Sequence, residues 1–432
     1  MAIETKRFIN SRKSCSCSMP GAWRAVAYMQ GVVVIFHSPR SCTHVATTMD
    51  INAHFRSMGE GYHEKGRAVP LVSSLLSEKE SIFGGTDKLQ HCIDFVMQTY
   101  HPECVVIANS CVSGVIGDDV ASVAVDAEEQ YRIPFITLNC YGFLDGEYYG
   151  GYFETIKNLI ARFMQPLPKQ VGTAVLFGDN GGPWEHYAME VTRLLQGMHI
   201  KVQSQFPSYL TLAEVRQVPS AEGLVILGGK GKTQEGFEEI AVELEEKFHI
   251  KHVPYTYPVG WEDTQKWILA MGELFQCQKE AQEVLRQEQE AFHRELEKYV
   301  ATTRGKKATL CVGRWLMYFD PVTVIRTMER LELDFLGIVM LNTFDDAEHR
   351  LEMEGVIRQC TQVPIYNYQE GSSLLQEADI VLSTHELQEP DIKQIFLPML
   401  PKVGAKGERD FMQAIQRTLC SRTQGGGTFY VK

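Results

Sequence analysis

The chain has 432 residues, 44% of them hydrophobic and 22% charged, with a formal net charge of -12. That length exceeds the roughly 250 to 300 residues at which a single hydrophobic core stops growing, so several domains are expected, and the composition excludes a disordered chain. The acidic balance argues against nucleic acid as a partner, because binding to a phosphate backbone relies on Lys and Arg releasing counterions.

The first residues, "MAIETKRFINSRKSCSC", are basic but lack the apolar stretch of a secretory signal. The run "GVVVIF" at 31–36 is far shorter than the roughly 20 residues needed to cross a bilayer. A cytoplasmic protein with no membrane contact is the expectation. Between them, Pro20, Gly21 and Ala22 start a helix that leads into this apolar run, and "HSPRSC" closes the unit at Cys42.

Beyond residue 100, short apolar runs alternate with amphipathic segments. "CVVIANS" at 104–110, "FITLNC" at 135–140, "TAVLFGD" at 173–179, "GLVILGG" at 223–229, "ATLCVG" at 308–313, "FLGIVML" at 335–341 and "DIVLST" at 379–384 each read as a buried parallel strand. The pattern is repeated βα architecture: an α/β fold of three doubly wound, Rossmann-like parallel-sheet domains around a central cleft, with sites at the carboxyl ends of the strands. "QPLPKQV" at 165–171 reads as a linker, and a long charged helix at 277–299 precedes the third unit. The expected domains are 1–165, which carries the candidate cysteines, 166–300, and 301–432. The last ends in the tail "SRTQGGGTFYVK", where Gly425, Gly426 and Gly427 suggest flexibility or a partner contact.

Eleven cysteines are many for a reducing compartment, where disulfide frameworks are rare. Cys17 and Cys42 flank the first helix–strand unit, and Cys111 directly follows the strand "CVVIANS", where a strand end meets a helix start and outward N–H groups favour an anion. Two readings stand side by side: thiolate ligands to a metal–sulfur cluster that takes further ligands from another chain, or buried thiols beside glycine turns.

Three segments in this order, "CSMPGAWRAVAYMQGVVVIFHSPRSC", "ESIFGGTDKLQHCIDFVMQTYHPE" and "SCVSGVIGDDV", resemble the component 1 subunits of nitrogenase and its relatives. Those relatives include the cofactor-assembly scaffold, dark-operative protochlorophyllide reductase, chlorophyllide reductase and methylthio-alkane reductase. Later segments, among them "RIPFITLNCYGF" and "EKFHIKHVPYTYPVG", extend the resemblance along the chain. The resemblance implies that Cys17, Cys42 and Cys111 hold an iron–sulfur cluster of 4Fe-4S or 8Fe-7S type at a subunit interface. Cys140 falls where some members place a serine or cysteine near that cluster, and is equally readable as a core thiol; Cys15 is either an alternative ligand or a loop neighbour.

The resemblance further implies a homologous component 1 subunit as partner and electron delivery by a separate ATP-hydrolysing iron protein, with ATP bound only there. No GxxxxGK[ST] loop occurs in this chain, and "LGGKGKT" has the wrong spacing. Family chains with a second, larger metal–sulfur cofactor hold it by a cysteine before "EKFHI" and a histidine in the third domain. Residues 228–250 contain no cysteine, and His349 and His385 lie in other contexts. The chain is then a reductase subunit acting on a small-molecule substrate, a cofactor-assembly scaffold, or a non-catalytic β-type subunit.

Tyr148 and Tyr152, in "CYGFLDGEYYGGY", and Arg314, in "VGRWLMYF", are the candidates for contact with a substrate or second cofactor. Trp184 and His186 open a helix after a strand. Asp118 and Asp119 are expected to cap the helix that follows them. His37 and His44 flank the Cys42 turn, either to tune a cluster by hydrogen bonds or as structural histidines.

Overall fold

The computed structural model describes residues 17–48, 68–141, 147–178, 186–207, 209–229, 234–313, 320–343, 347–387, 391–397 and 403–421. Cys15, Trp184, Arg314 and the three tail glycines lie outside them.

Three parallel sheets follow one another along the chain. The first contains β1 (Val32–His37), β2 (Leu71–Ser73), β3 (Cys104–Ser110) and β4 (Phe135–Cys140) in the order β2-β1-β3-β4. The second contains β5 (Gln170–Phe177), β6 (Lys201–Phe206) and β7 (Ala221–Ile226) in the order β6-β5-β7. The third has β8 (Lys307–Val312), β9 (Asp334–Met340), β10 (Ile365–Asn367), β11 (Ile380–Ser383) and β12 (Gln394–Phe396) in the order β10-β9-β8-β11-β12. In each sheet the strand order reverses once: between β1 and β3, between β5 and β7, and between β8 and β11. Such reversals open a crevice at the carboxyl ends of the strands.

The central strands are covered on both faces by helices, which is why β1 and β3 are buried at every position. Every expected strand is present, and the long charged helix runs Gln278–Thr303. The first two sheets share one continuous core, from Met19 and Trp23 through Phe177 to Phe248, while the third sheet packs around Phe292, Ile338 and Met412.

The join between the first two units is set by glycines. The helix Met19–Val26 crosses the helix Tyr148–Phe163 with backbone against backbone. A Cβ on Gly21 would lie 1.8 Å from the Tyr148 carbonyl oxygen, and one on Gly151 would lie 2.0 Å from that of Ser18. This crossing seats the Cys17 turn against the start of the tyrosine helix. One turn further along, the Phe153 ring packs edge-on against Phe237, on the helix Gln234–Phe248 that follows β7.

Candidate functional site: a cysteine edge on the first sheet

β3 ends at Ser110, whose hydroxyl accepts a hydrogen bond from the Ser113 N–H and so starts the helix Cys111–Ile116. Cys111 is the first residue past the strand. Ser110 is in register with Cys140 on β4, and Asn109 with His37 on β1, so the three strands end together. After β1 the chain turns at Pro39 into helical residues 40–48, and the Cys42 N–H donates to the Pro39 carbonyl at 3.2 Å. Cys17 precedes the helix Met19–Val26 on the β4 side.

The sulfurs sense one another along this edge. Burial pushes the Cys42 thiol up, and the nearby Cys111 adds to the rise against hydrogen bonding from Ser38. Cys140 is pushed up to about 12, mainly by burial, with the Cys17 charge contributing in the same direction. Cys17, Cys42 and Cys111 are half-buried, whereas Cys140 is 1% exposed and lies in the core. Cys92, Cys104 and Cys311 are buried thiols pushed up to about 12 by burial alone or chiefly by burial.

Among the described residues, no three His, Cys, Asp or Glu side chains converge on a single metal ion. A polynuclear cluster makes a different demand, because its ligands bind separate iron atoms and need not meet at one point. Three half-buried thiols spread along one sheet edge fit that donor pattern.

The edge is fixed by a polar tie that joins three separated motifs. His37 is fully buried; its Nδ1 lies 2.9 Å from the Ser74 hydroxyl and its Nε2 lies 2.9 Å from Asp118 Oδ2. The other oxygen of Asp118 accepts the Gly85 N–H at 2.8 Å. A Cβ on Gly85 would lie 2.7 Å from Asp118 Oδ2 and 3.2 Å from His37 Cε1, so the second glycine of "IFGG" makes room for the pair. Only Asp119 acts as the expected helix cap, accepting from the Ser122 N–H at 3.0 Å. Asp118 is instead turned inward, because a buried imidazole needs a partner more than an exposed helix end does. His37 is therefore a structural histidine, and His44 is exposed.

Around this edge lies exposed apolar surface: Ile82 at 75%, Phe83 at 79% and Val115 at 73%. They sit on the short helices Glu80–Phe83 and Cys111–Ile116, which pack together. Gly114 faces the Tyr141 ring, with 2.4 Å from a built Cβ to Tyr141 Cε1, so the residue after Cys140 also packs on the Cys111 helix.

The remaining candidates lie elsewhere. Tyr148 is half-buried at the start of its helix, and Tyr152 is buried among the rings of Tyr149, Phe153 and Phe237. His186 opens the helix His186–Gly197. His349 is half-buried on the helix Ala347–Cys360. His385 follows β11 at the reversal of the third sheet, where its Nδ1 lies 2.9 Å from the Thr384 hydroxyl, which accepts the Gly313 N–H at 2.7 Å.

Three consecutive parallel-sheet units flanked by helices define an α/β protein of Rossmann-like domains, with half-buried thiols at the end of the first sheet. The comparisons make this specific: the family model for nitrogenase component 1 type oxidoreductases matches residues 17–419, and the chain belongs to that family. It is 26% identical over 305 residues to the nitrogenase iron-molybdenum cofactor biosynthesis protein NifE of Clostridium pasteurianum, covering 69% of this chain and 62% of that protein. It is 24% identical over 251 residues to the nitrogenase molybdenum-iron protein alpha chain of Methanosarcina barkeri, covering 56% of this chain and 45% of that one. The chain thus spans between about half and three fifths of the length of these curated relatives. A structure of nitrogenase Cp1 at pH 6.5 superimposes with a TM-score of 0.65 at 16% identity, over 95% of this chain and 89% of that one, which establishes the shared fold. No helix among the described residues is long and apolar enough to cross a membrane.

Proposed function

We propose that this chain is a subunit of a nitrogenase-like, ATP-dependent reductase complex that binds an interface iron–sulfur cluster through Cys17, Cys42 and Cys111. The observation that carries the reading is one of place: of the half-buried thiols, Cys17, Cys42 and Cys111 belong to the first sheet's unit, Cys42 and Cys111 in the turns that follow β1 and β3, while Cys277 and Cys360 lie in later units and Cys92, Cys104, Cys140 and Cys311 are core residues. When bound, such a cluster supplies one-electron transfer at low potential. The chain's part is to hold it, with the His37–Asp118–Gly85 tie fixing the strand ends and a homologous subunit completing the ligand set.

The exposed Ile82, Phe83 and Val115 beside the cysteine edge suit docking of the separate ATP-hydrolysing iron protein. The substrate, or a second metal–sulfur cofactor, would lie nearer the ends of the second and third sheets, with the half-buried Tyr148 as a contact, whereas Tyr152 is enclosed by aromatic rings. The test is electron delivery: with the cognate iron protein and MgATP, the EPR signal of the loaded subunit changes at a rate that Phe83→Ala slows. A signal that responds only to added chemical reductant contradicts the reading.

Cofactor assembly is the second reading, favoured by the match to NifE and by the lack of cysteine in residues 228–250. A scaffold would release a metal–sulfur cofactor to an acceptor protein and show no steady turnover of a small substrate. Cytoplasmic location accords with either.

A further inference from the structure

Beside β7 in the second sheet, two buried polar atoms face each other without hydrogen-bond partners: Oε2 of Glu238 and Nε2 of His252, 3.8 Å apart. Their side chains are 5% and 3% exposed. A side-chain shift of about 1 Å would bring them within hydrogen-bonding distance. Leaving a buried carboxylate and imidazole unsatisfied costs stability, so the arrangement calls for an explanation beyond packing.

Each atom's partner on the far side extends the line. His252 Nδ1 lies 2.6 Å from Glu245 Oε2, and the Glu245 side chain is 43% exposed. Oε1 of Glu238 accepts the Tyr257 hydroxyl, together with the Tyr255 N–H at 2.9 Å and the Gln234 side-chain amide at 3.3 Å. The Tyr257 ring packs on Gly228, which follows β7, and the Tyr187 hydroxyl donates to the Gly228 carbonyl at 2.6 Å. The line therefore runs from solvent to the reversal between β5 and β7.

We propose that Glu245, His252, Glu238 and Tyr257 form a proton relay that feeds a reduction site at the end of the second sheet, where electrons from the complex reduce protons or a small-molecule substrate. The idea rests on the reductase reading, since reductions consume protons as well as electrons. Glu245 passes a proton from water to Nδ1 of His252, and the Nε2–H proton crosses to Oε2 of Glu238. The Tyr257 hydroxyl, which donates to Glu238 Oε1 at rest, turns away from the newly protonated carboxyl towards the reduction site. It releases its proton there as the Glu238 carboxyl turns and donates its own proton to the phenol oxygen, which leaves a carboxylate and a phenol as at the start. One proton enters from water and one leaves at Tyr257, and a half-turn of the imidazole restores its starting tautomer. Burial and the Glu238 hydrogen bond raise the Tyr257 hydroxyl well above its ordinary value, which favours this concerted exchange over a free phenolate.

The relay is separated from the cysteine edge by the aromatic contact of Phe237 with Tyr152 and Phe153, and Phe237 immediately precedes Glu238. Electron and proton inputs would thus approach from different sheets.

The test uses the cluster-loaded complex with its iron protein, MgATP and protons as the only substrate, reading hydrogen and the cluster EPR signal together. Glu238→Gln should slow hydrogen formation about 100-fold and flatten its pH profile, while the cluster is reduced at the wild-type rate. Glu245→Gln, on the surface, should cause a smaller loss that added imidazole buffer restores, an effect no structural role produces. Hydrogen formation within twofold of wild type in Glu238→Gln, or a Glu245→Gln loss that buffer leaves unchanged, overturns the relay. Should the cluster fail to load, the reductase reading fails and the relay is decided in the chain alone: the 15N signal of His252 Nε2 should titrate differently in Glu238→Gln, and identical titrations overturn it.

Discussion

The carboxyl ends of the first and second sheets are built on the same parallel βα geometry and carry opposite chemistry. The first ends in sulfur: three half-buried thiols, with exposed Ile82, Phe83 and Val115 beside them. The second carries oxygen and nitrogen: the buried Glu238 accepts the Tyr257 hydroxyl, and the His252 imidazole lies 3.8 Å from its other oxygen. The strand reversal provides a crevice in both, and the residues that fill it decide what moves there. Soft thiolates suit iron and sulfide, whereas alternating donors and acceptors suit protons.

The largest effect that can break this comparison comes from the helix crossing that seats Cys17. Gly21→Ala places a methyl 1.8 Å from the Tyr148 carbonyl, so the two helices must separate. A loss of about 3 kcal/mol in urea unfolding is expected, with iron content falling because the Cys17 turn moves. Unchanged stability and iron content would show that the crossing does not position the edge.

Asp118→Asn should cost about 2 kcal/mol, because it weakens a buried hydrogen bond to His37 and the anchor for Gly85. Stability is read from the urea midpoint, and Asp119→Asn, which alters only a cap, should cost less than half as much. Equal costs would place Asp118 among ordinary caps.

A smaller effect is expected from pH. Burial holds the His37 imidazole below its ordinary value of 6.5, against the opposing hydrogen bond and charge of Asp118. The folded protein binds that proton more weakly than the unfolded chain, so the contribution is complete above 6.5 and is lost as pH falls towards the lower folded value. His37→Asn should flatten the decline in urea midpoint between pH 6.5 and more acidic solution, measured against wild type. A decline of the same steepness in both proteins would assign it to other groups.

Phe83→Ala should leave stability within about 0.5 kcal/mol, since a ring that is 79% exposed contributes little to the fold. Its effect should appear only as slower electron delivery.

The apolar strands were legible in the sequence, the edge strands β4 and β7 among them, whereas the short or polar edge strands were not. β1, β3, β5, β8, β9 and β11 are continuous apolar runs because helices cover them on both faces. The strands missing from the sequence reading, β2, β6, β10 and β12, all lie at sheet edges. β6, "KVQSQF", is mostly polar and only its last two residues are buried, and β2 and β10 are half-exposed throughout, so none offers an apolar run. The cysteines were visible as motif residues, whereas the pairing of His37 with Asp118, 81 positions apart, exists only once the sheet is assembled. Glu238 sits in a helix rich in glutamate, and nothing local separates its buried carboxyl from its exposed neighbours.

The most direct test of the central claim is iron and acid-labile sulfide content with EPR on anaerobically purified protein, comparing wild type with Cys111→Ala. The account predicts iron and sulfide in similar amounts and an EPR signal in wild type, all lost in the variant while the fold is retained. Colourless, iron-free wild-type protein, or a cluster that survives Cys111→Ala unchanged, would contradict it.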